Sequence, residues 1–167
     1  IKDIRPSRRL ELLPYVAAGG VAVGDLDSAN PFVSSFDQTG RAGLDAKIGL
    51  GPNMTLDVTV NPDFGQVEAD PAEVNLTAFE TFFSERRPFF AEGADLLSGS
   101  LFYSRRIGAR PRGRASGDFV DQPEATTILG ATKLSGRLPG GLSIAALGAA
   151  TQAEFADTYD VSAASFG

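Results

Sequence analysis

The stretch that decides the fold runs Leu44-Asp45-Ala46-Lys47-Ile48-Gly49-Leu50-Gly51-Pro52-Asn53-Met54-Thr55-Leu56-Asp57-Val58-Thr59-Val60-Asn61. On both sides of its centre, apolar residues alternate with polar, charged or glycine residues, which is the two-residue period of a β-strand. The Gly-Pro-Asn interruption at the centre is typical of a turn. The stretch therefore predicts a β-hairpin with one wholly apolar face and one polar face.

The two faces of this predicted hairpin suit two different classes of protein. A soluble β-sandwich buries the apolar face of a sheet and exposes the polar face to water. An outer-membrane barrel does the reverse, because its apolar face meets lipid and its polar face lines the interior. The alternation alone leaves both classes open. The residues that we expect on the apolar face include Leu44, Ile48, Met54, Leu56, Val58 and Val60.

Similar patterns precede and follow this hairpin. Alternation from Ile128 to Ser135, a turn at Arg137-Leu138-Pro139-Gly140-Gly141 and an apolar stretch from Leu142 to Thr151 predict a second hairpin. Leu10 to Val23 predicts a strand pair or one long strand that is broken near Gly19-Gly20. These segments extend the antiparallel pattern over most of the chain.

The remaining segments complete the predicted β fold. Leu101 to Ile107 predicts another short strand, and six or seven strands fit the chain in all. The segments Gly24 to Gly40 and Arg110 to Pro123 are rich in Asp, Ser, Gly and Arg, which predicts long loops. We expect an all-β antiparallel meander with one short helix.

The composition excludes several functions. The 167 residues suit one β-rich domain over residues 1–167. Acidic residues outnumber basic ones by 21 to 15, so nucleic acid is not an expected partner. The chain has no cysteine and no histidine, which removes thiolate catalysis, imidazole bases and the usual zinc and haem ligands. We expect no enzyme activity, no catalytic or cofactor-binding residues, no metal site and no cofactor.

The one predicted helix begins at Asp70. Asp70 can cap a helix, Pro71 suits the first helical position, and Glu73 lies three residues after the cap. The sequence Ser84-Glu85-Arg86-Arg87, followed by Pro88, predicts its end. Its apolar stripe consists of Leu76, Phe79 and Phe83.

Aromatic and charged side chains are concentrated in and after this helix. An aromatic face is unfavourable in a wet lumen, and arginines beside it need carboxylate partners once water is partly excluded. We therefore predict that Asp70 to Glu92 forms an inward element that narrows or plugs a pore, or organises assembly. The residues of this predicted lumen or plug element are Asp70, Glu73, Phe79, Phe82, Phe83, Glu85, Arg86, Arg87 and Glu92.

Other chemistry is less well supported by the pattern. Three acids between Asp63 and Asp70 could bind calcium, but they do not fit the EF-hand spacing. Acids from Glu68 to Glu92 could hydrolyse glycosides, although any acidic stretch can be interpreted in this way. The phenylalanines from Phe79 to Phe90 could stack on sugars, but core packing is the commoner role of such stripes. The arginines could form an anion-selective constriction or a sugar-phosphate site, or the ion-pair network that we favour; they are Arg86, Arg87, Arg105, Arg106, Arg110, Arg112 and Arg114.

A family resemblance is carried by five stretches. They are Gly43 to Lys47, Leu56 to Asp70, Val74 to Thr77, Phe82 to Gly93 and Phe102 to Gly108. The chain resembles the barrel region of an uncharacterised group of Gram-negative surface proteins that usually carry a family-nine-like carbohydrate-binding module before the barrel. The resemblance runs from about Leu10 to Thr151.

This resemblance implies a location in the cell outer membrane and a structural, transport or surface-assembly role. Outer-membrane lipid is the implied partner, together with polysaccharide or other surface proteins, and no catalytic residues are implied. The chain departs from the group because the module is missing and the sequence stops where members continue with more strands. We therefore expect the N-terminal part of a larger barrel; a soluble β-sandwich that binds glycans or acts as a scaffold is the alternative.

Overall fold

The computed structural model describes residues 9–62, 84–97 and 102–161, and its main feature is an antiparallel five-stranded sheet. The elements are β1 (Leu10–Ala22), β2 (Phe36–Gly49), β3 (Met54–Val60), α1 (Pro88–Ala91), α2 (Ala94–Leu97), a 3-10 turn (Ser104–Arg106), β4 (Phe119–Asp121), β5 (Ile128–Arg137), β6 (Ser143–Thr151) and β7 (Asp157–Tyr159). The sheet order is β1-β2-β3-β5-β6, and β4 pairs with β7 in a separate ribbon. The predicted all-β class is confirmed. Among the described residues the sheet is not closed, since β1 and β6 each have one neighbour.

Both predicted hairpins are present. β2 and β3 pair with Ile48 opposite Leu56, and β5 and β6 pair with Leu134 opposite Ala146. β3 also pairs directly with β5, although residues 61–127 separate them along the chain. The long connection between β3 and β5 is therefore an insertion in an otherwise simple meander.

The register brings the alternating apolar residues of neighbouring strands to the same side of the sheet. Val58 lies opposite Ala46 on one neighbouring strand and Thr132 on the other. This side, the apolar face, is formed by the even-numbered residues of β1, β2, β3 and β6 and of β5 from Gly130 onward, and it carries no charged residue in these strands. The odd-numbered residues form the charged face, with Glu11, Asp37, Arg41, Asp45, Lys47, Asp57, Lys133 and Arg137.

The charged face is covered over its centre, on β3 and β5. In the described strands every fully buried residue lies on it, and these residues are Asp57, Thr59, Ile128, Ala131 and Lys133. Apolar-face residues stay accessible, with Val16 84% exposed and Val60 51% exposed. A small apolar core lies on the charged face, where Phe90 packs with Ile128 and Ala131, and Phe89, Ile107 and Leu147 surround them. Residues of the insertion therefore cover the centre of the charged face, while Glu11, Asp37, Arg41 and Arg137 stay exposed.

The insertion leaves the sheet at Asn61. This residue has φ +47°, a left-handed conformation that asparagine tolerates better than most residues. Its side-chain amide donates to the Ala42 carbonyl at 2.6 Å, and its backbone N–H donates to the Leu129 carbonyl at 2.9 Å. These bonds fix the end of β3 between its two neighbouring strands and direct the following chain away from the sheet.

The two ends of the sheet differ in their connections. At one end, the turn end, residues 50–53 and 138–142 join neighbouring strands. At the other end, the loop end, residues 23–35 and 61–127 connect the strands, and the chain leaves β6 toward the β4-β7 ribbon. All long connections that the structure describes therefore lie at the same end of the sheet.

Two predicted strand boundaries need correction. β1 is one continuous strand through Gly19-Gly20, because the Thr39 hydroxyl and the Phe36 ring fill the space beside these glycines. The predicted loop from Gly24 to Gly40 is shorter, since β2 begins at Phe36 and pairs along the whole of β1. Cross-strand pairing thus overrides the local effect of the glycines.

Two further expectations are also corrected. Leu101 to Ile107 is not a strand in its described part, because Ser104–Arg106 forms a 3-10 turn whose N–H and C=O groups bond locally or to Arg87. The predicted loop from Arg110 to Pro123 contains β4. Pro88 begins α1 at its first position, where the missing N–H costs no helical hydrogen bond. The helix expected from Asp70 lies outside the described residues.

Candidate functional site

The candidate site lies on the charged face, where α1 and the residues after it cross the middle of the sheet. Its centre is the ammonium group of Lys133, a side chain that is 1% exposed. The Nζ atom donates to the carbonyls of Phe89 at 2.7 Å and Glu92 at 2.6 Å. It also lies 3.6 Å from Asp57 Oδ2. Lys133 therefore joins two sheet strands to the insertion.

A second lysine extends this arrangement across the sheet. Lys47, Asp57 and Lys133 lie directly opposite one another on β2, β3 and β5. The Lys47 ammonium donates to the Glu92 carboxylate and lies 3.9 Å from Asp57 Oδ1. The hydrogen bond from Lys47 lowers the pKa of Glu92 below its usual range. These four side chains, Lys47, Asp57, Glu92 and Lys133, form what we call the cross-sheet ion network.

The α1 helix places two phenylalanines beside this network. The Phe89 and Phe90 rings meet edge to face with centroids 5.1 Å apart, a favoured aromatic geometry. Phe90 is 2% exposed in the small core, and the Lys133 ammonium lies 5.0 Å from the centroid of the Phe89 ring. These two rings pack against protein, as the core interpretation of the aromatic residues predicted.

Arg87 forms a separate polar node immediately before α1. Its Nε and Nη2 atoms donate to the two oxygens of the Glu85 carboxylate at 2.8 and 2.7 Å. Its Nη1 and Nη2 atoms donate to the carbonyls of Ile107 at 2.6 Å and Ser104 at 2.9 Å. The guanidinium carbon also lies 4.3 Å from the centroid of the Phe90 ring. Arg87 thus ties residues 104–107 to the element that covers the sheet.

The Glu85 carboxylate is held in its ionised form by this node. Burial raises the pKa of Glu85, but hydrogen bonds from Arg87 and from the Ser104 hydroxyl outweigh burial, so the pKa is lowered overall. The Ser104 Oγ atom donates to Glu85 Oε2 at 2.5 Å. Both carboxylate oxygens accept bonds from the arginine, the bidentate geometry that suits a structural tie. The site therefore consists of paired charges that fix chain segments.

The lowered pKa of Glu85 predicts loss of stability in acid. A carboxylate whose folded pKa lies below its unfolded value of about 4.3 contributes stability above that pH, and the contribution disappears as the pH falls through the folded pKa. We expect the free energy of unfolding in urea to fall more steeply below about pH 4.3 in the wild type than in Glu85→Gln. Equal pH slopes for the two proteins would contradict this account of the node.

Comparison with known proteins gives a family but no characterised relative. A protein-family model described as a domain of unknown function, DUF5916, matches residues 6–165. The chain belongs to the DUF5916 family. No curated protein and no solved structure matches it significantly. The family is uncharacterised, as the resemblance implied, and membership assigns no activity.

Four of the predicted lumen or plug residues can be placed in this DUF5916 domain. Glu85 and Arg87 pair with each other, and the Arg86 N–H donates to Glu85 Oε1 at 3.1 Å. Glu92 belongs to the cross-sheet ion network instead. The other five, Asp70, Glu73, Phe79, Phe82 and Phe83, lie outside the described residues.

Sequence reasoning did not place three important residues in the site. In the sequence, Lys47 and Lys133 are only polar positions of alternating strands, and Ser104 falls in a predicted strand. The alternation itself was the available signal, because two lysines and Asp57 on one face predict cross-strand pairing once the strands are adjacent. Which strands are adjacent depends on the insertion, and no periodic pattern encodes that.

The described part of the DUF5916 domain lacks two kinds of feature, metal-ligand groups and membrane-spanning helices. Residues 9–62, 84–97 and 102–161 contain no group of three or more acidic side chains that could hold a metal ion. The acidic stretch from Asp63 to Asp70 lies outside these ranges. No helix within the same ranges has the length and apolar composition needed to span a bilayer.

Proposed function

We propose that this DUF5916 domain forms part of the wall of an outer-membrane β-barrel, with its apolar face in lipid and its charged face toward the interior. The observation that carries the proposal is the inverted burial of the sheet. Lys133 and Asp57 are 1% and 6% exposed on one side, whereas Val16 and Val60 are more than half exposed on the other. The proposed role is structural, in transport or in surface assembly.

Inverted burial favours a bilayer over a soluble sandwich. A sandwich packs the apolar faces of its sheets together and leaves charged residues in water. Here the insertion covers the centre of the charged face, over β3 and β5, while the uncharged face of the five described strands stays accessible. Water is an unfavourable environment for so continuous an apolar surface, and lipid is a favourable one.

Strand lengths and connections support the same proposal. A transmembrane β-strand needs about 9–11 residues. β5 and β6 have 10 and 9 residues, and β1 and β2 have 13 and 14. Bacterial outer-membrane barrels have short periplasmic turns and longer external loops. The turn end would therefore face the periplasm and the loop end would face outward.

Strand direction sets a condition on how such a barrel closes. β1, β3 and β6 run from the turn end to the loop end, while β2 and β5 run in the opposite direction. The two edge strands, β1 and β6, are therefore parallel and cannot pair with each other antiparallel. An antiparallel barrel needs an odd number of further strands between them, and because bacterial barrels have about eight strands or more, that number is at least about three.

The insertion supplies an inward element in this proposal. α1 and Glu92 bind the charged face through Lys133 and Lys47, so this segment would lie inside the barrel and narrow its lumen. The resemblance to barrels that follow carbohydrate-binding modules supports an association with surface polysaccharide. Outer-membrane lipid is the partner that the apolar face would require.

Substitution of Val58 by arginine tests the lipid contact. We expect Val58→Arg to destabilise the protein in lipid vesicles by about 2–4 kcal/mol, because a charge near the bilayer midplane loses its hydration. Leu142→Arg is the matched control, since Leu142 lies in the connection at the turn end and arginine near an interface costs only about 0–1 kcal/mol. Urea unfolding in vesicles of defined thickness measures both values.

Two outcomes would overturn the proposed location. One is an equal and small effect of the two arginine substitutions in vesicles. The other is recovery of the protein in the soluble fraction of the producing cells, without detergent, which would favour the sandwich alternative. We expect the protein to stay in the membrane fraction after alkaline extraction.

A further inference from the structure

We propose that a cleft at the loop end binds a phosphomonoester group carried on a small ring. The cleft has a volume of about 230 Å³ and is lined by residues 111, 113–115, 122–123 and 154–156. It lies outside the five-stranded sheet, so the proposal does not depend on whether that sheet contacts lipid. Because ligand pockets for drug-sized molecules are about 300–1,000 Å³, this cleft suits a single small ring with its charged group.

The walls of the cleft are fixed by bonds that leave its arginine unused. The Gln122 side chain donates to the Gly113 carbonyl at 2.7 Å, which holds the two loop segments together. The Thr127 N–H donates to Glu154 Oε1 at 2.7 Å, and the β4-β7 pairing holds the adjacent ribbon. The cleft is therefore built before any ligand enters, which lowers the entropy cost of binding.

Three exposed arginines lie in the loop that forms one wall of the cleft. Arg114 lines the cleft, whereas Arg110 and Arg112 lie outside its lining, four and two residues earlier in the sequence Arg110-Pro111-Arg112-Gly113-Arg114. All three are exposed, and within the described residues none has a hydrogen-bond or ion-pair partner. In a chain of net charge −6, the stretch 110–117 carries these three cations and no acidic residue. Guanidinium groups bind phosphate oxygens bidentately.

The remaining lining residues narrow the ligand class. Phe155 is 83% exposed and offers an open ring face for the carrier of the anion. Glu154 is the acidic side chain of the lining, so the arginines must outweigh its repulsion of an anionic ligand. A phosphomonoester carries about −1.5 to −2 charges, whereas a carboxylate carries −1, so Arg114, with Arg110 and Arg112 on the same loop, favours the phosphomonoester.

Calorimetric titration of the full chain in detergent micelles tests this inference. The probes are glucose 6-phosphate, glucuronate and glucose, which share a ring and differ in their charge. Vesicles with monophosphoryl lipid A, or with the same lipid after dephosphorylation, test whether the phosphate belongs to a lipid headgroup. We expect saturable binding of one or both phosphorylated probes, weaker binding of glucuronate and none of glucose.

Paired variants separate anion binding from neutral sugar binding. Arg114→Gln should weaken binding of the phosphorylated probe by roughly 10-fold to 100-fold, since a charged hydrogen-bonding partner is lost. Glu154→Gln keeps an acceptor for Thr127 and removes a negative charge, so it should tighten binding. Arg41→Gln alters an exposed arginine on the charged face of β2 and is the matched control, with binding unchanged. Phe155→Leu should weaken binding, whereas Phe155→Trp should retain it.

The affinities of the variants for the probes test the anion site. Loss of affinity in Arg114→Gln together with a gain in Glu154→Gln supports an anion site, and the probe that saturates identifies the ligand as free or lipid-borne. No binding of either phosphorylated probe overturns the proposal. Preferential binding of glucuronate or glucose, or loss of affinity in both variants, also overturns it. None of these binding results affects the outcome of the Val58 experiment, so the two proposals fail independently.

Discussion

Lys133→Ala is expected to lower the free energy of unfolding by about 3–5 kcal/mol, because removing one member of a buried ion pair leaves the other charge uncompensated. The Lys133 ammonium is 1% exposed and lies 3.6 Å from the 9% exposed Asp57 side chain. It also donates to the carbonyls of Phe89 and Glu92, which would lose their partner. Urea unfolding of the two proteins under identical conditions measures the difference.

Lys47→Ala is the matched control for this prediction. Lys47 lies in the same row of the sheet and pairs with Asp57 and Glu92, but its side chain is 35% exposed. Exposed ion pairs contribute about 0–1 kcal/mol, so we expect a much smaller loss. The double variant Lys133→Met with Asp57→Leu removes both buried charges and should recover most of the stability. An effect of Lys133→Ala no larger than that of Lys47→Ala would contradict the proposed tie between sheet and insertion.

The faces of the sheet could be predicted from the sequence, and the reason is geometric. Side chains alternate strictly along a strand, so Leu56 and Val58 had to share a face and Asp57 had to lie on the other. The turn at residues 50–53 then fixed the register of β2 against β3. These local rules need no information from distant parts of the chain.

The contacts of the insertion could not be predicted in the same way. Lys133 meets carbonyls that lie 44 and 41 residues earlier, and backbone carbonyls carry no sequence signal. The assignment of residues 101–107 to a strand failed for a related reason. Arg87 draws the Ser104 and Ile107 carbonyls toward one guanidinium, which requires a compact turn. The pairing of Arg87 with a carboxylate was predictable, because Glu85 is close in the sequence.

Arg87→Ala is expected to destabilise the protein by about 3–5 kcal/mol, since it leaves the Glu85 carboxylate buried without its bidentate partner. Both side chains of this pair are 11% exposed, so water cannot replace the lost bonds fully. Arg87 also donates to the Ile107 and Ser104 carbonyls, and its loss would free residues 104–107 from α1. The expected result is therefore a large loss of stability, together with faster amide exchange at Ile107.

Arg137→Ala and a double-mutant cycle separate this node from a general effect of losing an arginine. Arg137 is exposed and donates to the Gly141 carbonyl at 2.9 Å, so its removal should cost less than about 1.5 kcal/mol. In the cycle, Glu85→Gln combined with Arg87→Ala should cost less than the sum of the two single changes, because each change removes the same ion pair. Additive losses would mean that Arg87 acts through its carbonyl bonds alone. A loss no larger than that of Arg137→Ala would mean that residues 104–107 are held by other contacts.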